Sequence, residues 1–216
     1  LELLLTEDPL KARELARELD AHNRDRQQVE KTTVEQAGAR LDFDPARDAA
    51  IVVGDEGWHP GVLGIVASRI CRKHHRPTLV IGFDEKGLGK GSGRSIAGFS
   101  LVEALEACGP LLEKFGGHEM AAGLALQRDR FGEFREAFKR FARERLDDTA
   151  LLPRVELDGE VGLGEIDYDF LEIHERLQPF GTGNAQPLWL ARGVRPLAEP
   201  AVMKEKHLRL TLGQGG

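Results

Sequence analysis

The sequence predicts an α/β protein with three parts in order: a long connector helix, a mixed-sheet α/β domain, and a small β-rich domain. Three observations predict it. Residues 6–37 form one long helix-like run that is mostly polar. Between residues 48 and 147, short apolar runs alternate with amphipathic ones, the pattern of strands and helices packed in layers. After Pro153, short strand-like runs are separated by glycine turns, as in a small barrel or sandwich.

The elements follow in order. In "TEDPLKARELARELDAHNRDRQQVEKTTVEQA", Thr6 or Asp8 can cap a helix and Pro9 suits its first turn. Its second half is polar on every side, which fits a helix bridging two domains. "AAIVVG" (49–54) is a buried strand. "GVLGIVASRICRKHH" (61–75) is an amphipathic helix whose basic end suits the helix dipole. "PTLVIGF" (77–83) is a second apolar strand, "DEKG" a turn, and "GLGKGSGRSI" (87–96) an extended glycine-rich segment. Ser100 and Glu103 make a capping box for "LVEALEAC". Gly109-Pro110 breaks that helix, "LLEKF" resumes it, and Gly116-Gly117 is expected to end it. "AAGLAL" is a strand. Phe131, Phe134, Phe138 and Phe141 then recur at helical spacing and mark a buried helix face rather than a stacking platform. "DDTALLP" (147–153) reads as a linker. The expected domains are 1–47, 48–147 and 148–216.

Composition excludes several classes. Nothing in the 216 residues is as long and apolar as a membrane helix, and no basic-then-apolar run within them reads as a signal peptide. Cys71 and Cys108, the only cysteines, suit reduced thiols in a cytosolic protein rather than a disulfide framework. The chain starts inside an apolar run and ends in a strand-like one, so a piece of a longer protein is expected. The net charge is −6, yet residues 61–96 hold seven basic side chains against Asp84 and Glu85 alone. Such a patch fits either a polyanion site or a solvated face.

No metal-ligand spacing, nucleophile elbow or standard nucleotide loop is present. His74-His75 lies between Lys73 and Arg76, a poor place for a cation. Three stretches can instead bind phosphate. In "GSGRS", Gly91 and Gly93 can admit a ligand to the backbone, Ser92 and Ser95 offer hydroxyls, and Arg94 can grip two phosphate oxygens. In "GGH", a helix ending at Gly116-Gly117 can free N–H groups for an anion, with His118 as a further donor. In "GWHPG", Trp58 can stack on a base and His59 can donate to a phosphate. Each stretch has a plain structural alternative: a tight strand pair, a helix cap, a packed tryptophan.

Taken together, "GWHPGVLGIVASRI", "GKGSGRSIAGFSLVEALEAC" and "KFGGHEMAAGLAL" resemble the bacterial RecJ family in order and spacing. These are single-strand-specific 5′→3′ DNA exonucleases of the DHH phosphoesterase superfamily. Residues 1–47 resemble the end of that family's DHH domain and its connector helix, 48–147 its DHHA1 domain, and 148–216 an incomplete OB-fold domain, a β-barrel. The resemblance implies a metal-dependent nuclease of DNA repair and recombination, with Mn²⁺ or Mg²⁺ held by the DHH domain and no metal or catalytic residue expected in this chain. It implies substrate contacts at Gly116, Gly117 and His118, and 5′-phosphate recognition by Ser92 and Arg94. The implied partners are single-stranded DNA with a 5′ phosphate and DNA-repair proteins, in the cytoplasm. The alternatives are a related phosphodiesterase of short RNA or cyclic dinucleotides, and a module that only binds or docks.

Overall fold

The computed structural model describes residues 1–205 and 207–215. The chain divides into two compact units, 1–153 and 154–216.

In the first unit, a short helix α1 (Glu2–Leu5) precedes the 32-residue helix α2 (Pro9–Arg40). Asp8 caps α2, its Oδ1 accepting from Leu10 N at 2.9 Å, with Pro9 in the first turn where its missing N–H costs nothing. A five-stranded sheet follows, in the order β1-β2-β3-β5-β4. Strand β1 (Ile51–Glu56) and strand β2 (Thr78–Phe83) are parallel, joined by helix α3 (Pro60–His74). Strand β3 (Leu88–Arg94) returns antiparallel to β2 through a turn in which Asp84 Oδ1 accepts from Lys86 N and Leu88 N, both at 2.9 Å. Helix α4 (Leu101–Ala107) begins at Ser100, whose hydroxyl accepts from Glu103 N at 3.3 Å. Strand β4 (Lys114–His118), strand β5 (Ala121–Gln127) and helix α5 (Phe131–Arg145) complete the unit.

Side chains alternate across each strand, so the sheet has two cores. Ile51, Val53 and Val80 face α3, packing on Val62, Val66 and Ile70. Val52, Leu79, Ile81, Leu124 and Leu126 face the other way, toward Leu101 and Leu105 of α4 and Phe134 and Phe138 of α5. Phe134 and Phe138 are fully buried, each contributing about 1.5–3 kcal/mol by its burial, as the phenylalanine spacing predicts. Both cysteines are buried and reduced, and burial pushes each thiol up to about 11.

One expectation fails here. "LLEKF" does not resume the α4 helix, and Gly116-Gly117 does not end one. A single 3-10 turn (Gly109–Leu111) follows α4, and Lys114–His118 is an edge strand paired with β5 alone. The N–H groups on offer belong to a strand edge, which turns every second backbone group away from its only partner.

In the second unit, six short strands pair as three two-stranded sheets among the described residues. The pairs are β6 (Gly159–Glu160) with β7 (Trp189–Leu190), β8 (Val194–Pro196) with β11 (Leu212–Gln214), and β9 (Ala201–Met203) with β10 (His207–Arg209). Helix α6 (Tyr168–Glu175) is capped by Asp167, whose Oδ1 accepts from Phe170 N at 2.8 Å. Phe170 and Trp189 meet edge to face at 5.4 Å beside a cavity of 470 Å³. Lys206 and Gly216, both within expected strand runs, lie outside the described residues.

Candidate nucleic-acid interface

Register brings the expected phosphate contacts of β3 and β4 onto one face of the sheet. Arg94 pairs with Ala121, and Ala121 with His118. Ser92 pairs with Gly123, and Gly123 with Gly116. Directly paired residues of antiparallel strands point to the same side, so β3 and β4 flank a floor of Ala121 and Gly123 on β5. This is the α3 side of the sheet: a β-carbon on Gly64 of α3 would stand 3.1 Å from Ser92 Oγ and 3.1 Å from Arg94 Nη2.

Arg94 Nη1 donates to Gly93 O at 2.7 Å and to Ser92 Oγ at 3.4 Å, which holds the guanidinium beside the hydroxyl. Among the described residues no carboxylate pairs with Arg94, leaving its fork for an anion. His118 is exposed at the end of β4. The β4–β5 turn behind it is fixed by Ser95 N donating to Met120 O at 3.0 Å and Leu101 N donating to Glu119 O at 2.9 Å.

The two glycines of "GGH" differ. Gly117 has φ +147, and a β-carbon there would come within 2.5 Å of Ala121 O and of Ala122 Cα. The fold itself requires glycine at 117. A β-carbon on Gly116 would meet nothing within 4 Å. The space above Gly116 is open on the side that Arg94 and His118 share.

Other expected site residues sit elsewhere or act otherwise. Trp58 is only 4% exposed, and its Nε1 donates to Gln36 Oε1 of α2 at 2.9 Å. Its ring is enclosed in the α3-side core, so a base-stacking role is corrected to a packing one. Ser95 is 8% exposed and its Oγ donates to Phe99 O at 2.7 Å, so it holds the scaffold and has no free hydroxyl for a ligand. Gly91 and Gly93 do not admit a ligand either. Their β-carbons would strike Ile81 and Leu124, and Leu79, respectively, all on the opposite core face. His59 caps α3, its Nδ1 accepting from Gly61 N at 3.1 Å, which fixes the tautomer and leaves Nε2–H to donate outward.

Gly64 is expected from the sequence to keep α3 close to the preceding strand; the structure sets it against Ser92 and Arg94 of β3 instead. Sequence reasoning missed Gln36, which nothing local marks.

Helix α2 is fastened to this domain at three points. Glu30, 5% exposed at its side chain, pairs with Arg69 of α3 and with Arg26 at 2.7 Å. Gln36 holds Trp58, and Arg40 pairs with Asp55. Among the described residues no group of three or more His, Cys, Asp or Glu side chains could hold a metal ion.

An edge strand and a strand carrying Lys90 and Arg94 thus flank a bare floor on one face of the mixed sheet. Residues 48–144 match the DHHA1 domain family and residues 157–216 the RecJ OB domain family. The chain belongs to the RecJ family. It is 38% identical to the single-stranded-DNA-specific exonuclease RecJ of Bacillus subtilis, over 97% of this chain and 27% of that protein. It is 35% identical to that of Escherichia coli, over 96% of this chain and 37% of the other. The fold matches a crystal structure of RecJ from Thermus thermophilus in complex with Mg²⁺, with TM-score 0.80, 34% identity and coverage of 98% of this chain and 32% of that one. A structure of exonuclease RecJ bound to manganese matches with TM-score 0.60 and 39% identity, over 68% of this chain and 36% of that one. The chain thus spans about a third of the length of the relatives it matches. No helix among the described residues is long and apolar enough to cross a membrane.

Proposed function

We propose that this chain is the strand-holding part of a RecJ-type exonuclease that degrades single-stranded DNA from a 5′-phosphorylated end in cytoplasmic repair and recombination. The observation that carries the reading is the pair of rows Arg94–Ala121–His118 and Ser92–Gly123–Gly116 on one face of the sheet. Arg94, lacking a carboxylate partner among the described residues, and Ser92 bind the terminal phosphate as charge-assisted donors. Gly116 lets the sugar-phosphate chain lie against the edge of β4, and His118 donates from the far side of the floor. His59 Nε2–H is a further donor at the start of α3.

Hydrolysis needs Mn²⁺ or Mg²⁺ to activate water, and the described residues offer no ligand set for either. In this reading the metals belong to a DHH domain outside this chain. What these residues supply is binding, orientation of the 5′ end, and selection of an unpaired strand.

Fluorescence anisotropy with the purified chain tests this. A 5′-phosphorylated single strand is expected to bind more tightly than the matching duplex and more tightly than a short RNA of the same length. With Mn²⁺ added, the chain alone is expected to leave the DNA intact. Equal or tighter binding of duplex, or cleavage by a rigorously pure sample, contradicts the reading; tighter binding of the RNA points to the short-RNA phosphodiesterase class.

A further inference from the structure

The face that carries Arg94 and Ser92 continues one row further along the same strands. Lys90 of β3 pairs with Ala125 of β5, and Ala125 pairs with Lys114 of β4. The alternation that puts Ser92 and Arg94 over α3 puts Lys90 on the same side, and the pairing puts Lys114 there too. Neither lysine has an ion-pair partner among the described residues, although most lysines and arginines of α2 and α5 do. The two lysines therefore face each other across a single alanine. Their backbones are separated by two strand spacings, about 9.5 Å, a gap that two lysine side chains close. Along the strand, this row lies four residues from the Arg94–His118 row, or about 13 Å. That is the distance over which an extended single strand advances by about two phosphates.

We propose that Lys90 and Lys114 form a second phosphate subsite, which clamps an internal phosphodiester of the single strand about two nucleotides beyond the end group held by Ser92 and Arg94. The proposal rests on the reading that this face holds a single strand, and it adds the direction of travel: along β5, from Ala121 toward Ala125. Lysine suits the position. An internal phosphodiester carries one charge and needs a point cation rather than a bidentate fork. Two cations on opposite banks hold the backbone without reading a base, as strand binding independent of sequence requires.

The test uses this chain with Lys90→Gln, Lys114→Gln and the double variant, and with Lys86→Gln in the β2–β3 turn as a control for net charge. Two probes are titrated: a 5′-phosphorylated thymidine dinucleotide, which reaches only the Arg94 end, and a longer 5′-phosphorylated oligothymidylate, which reaches both. The double variant is expected to bind the longer strand about tenfold more weakly and to flatten its salt dependence by about 0.7 in the logarithmic slope, the amount for one phosphate on a single strand. Its dinucleotide affinity stays within about twofold of the parent's, and Lys86→Gln changes neither. Unchanged affinity and slope for the longer strand overturn the subsite. So does an equal loss for both probes, or an equal loss in Lys86→Gln. If the parent chain binds the dinucleotide and the longer strand equally well, the subsite alone fails. If it binds neither, the strand-holding reading itself fails.

Discussion

Gly64 of α3 lies directly over Arg94 of β3, so close that a β-carbon at 64 would stand 3.1 Å from Arg94 Nη2. The same β-carbon would stand 3.1 Å from Ser92 Oγ. Glycine inside a helix normally costs about 0.5–1 kcal/mol relative to alanine. Here it leaves room for the Ser92 and Arg94 side chains beneath the helix. Gly64→Ala is therefore expected to keep or slightly raise the thermal midpoint while weakening 5′-phosphorylated strand binding about three- to tenfold. Loss of stability with unchanged affinity would show that Gly64 serves only packing.

Gly116 and Gly117 stand in opposite surroundings. Gly117→Ala forces a side chain into a φ of +147 and against the β5 backbone, and is expected to cost about 1–3 kcal/mol in urea unfolding. Gly116→Ala meets open space and is expected to stay within about 0.5 kcal/mol of the parent while lowering single-strand affinity. The reverse pattern would remove Gly116 from the interface.

The Glu30 carboxylate anchors the connector helix. It is buried between Arg26 of its own helix and Arg69 of α3. Removing one partner of such a buried group leaves like charges facing each other, although both arginines reach solvent and soften the cost. Glu30→Gln is expected to destabilise the chain by about 1–2 kcal/mol. A double-mutant cycle with Arg69→Gln is expected to show coupling above about 0.5 kcal/mol. No coupling would mean the helix is held by Gln36 and Arg40 instead.

Asp48 predicts an acid limit. Burial works to raise its carboxyl, but the Asp44 N–H and the cations of Arg47 and Lys139 outweigh burial and hold it below its ordinary 3.8. A carboxyl lowered on folding stabilises the fold fully above its unfolded value and loses that contribution as pH falls through the folded one. Unfolding free energy should therefore drop below about pH 4, and Asp48→Asn should flatten the drop. An identical acid limb in the variant would assign it to other carboxylates.

Much of this fold is legible locally. The apolar run of β2, the Asp8-Pro9 start of α2 and the phenylalanine period of α5 each state their element, because burial and capping act over a few residues. Strand β4 is not legible. All five of its residues are exposed and two are glycines, so neither period nor propensity marks a strand; pairing with β5 creates it. Trp58 misleads for a related reason. Its ring packs in the α3-side core and its N–H pairs with Gln36 of α2, 22 residues earlier. The rows across β3, β5 and β4 depend on register, which no single segment contains. The sequence therefore names Ser92, Arg94 and His118 as candidates without showing that they share a face, and Lys90 and Lys114 pass unnoticed.

In the proposed function this face recognises the 5′ phosphate of a single strand through Arg94. The most direct measurement compares affinities for the same single strand with a 5′ phosphate and with a 5′ hydroxyl, in the parent chain and in Arg94→Ala. A charge-assisted bond of about 1.5–3 kcal/mol predicts at least about a tenfold preference for the phosphate in the parent. It also predicts a ratio near one in the variant, with the unfolding midpoint preserved. A parent that does not distinguish the two ends, or a variant that keeps the full preference, would contradict this role of Arg94.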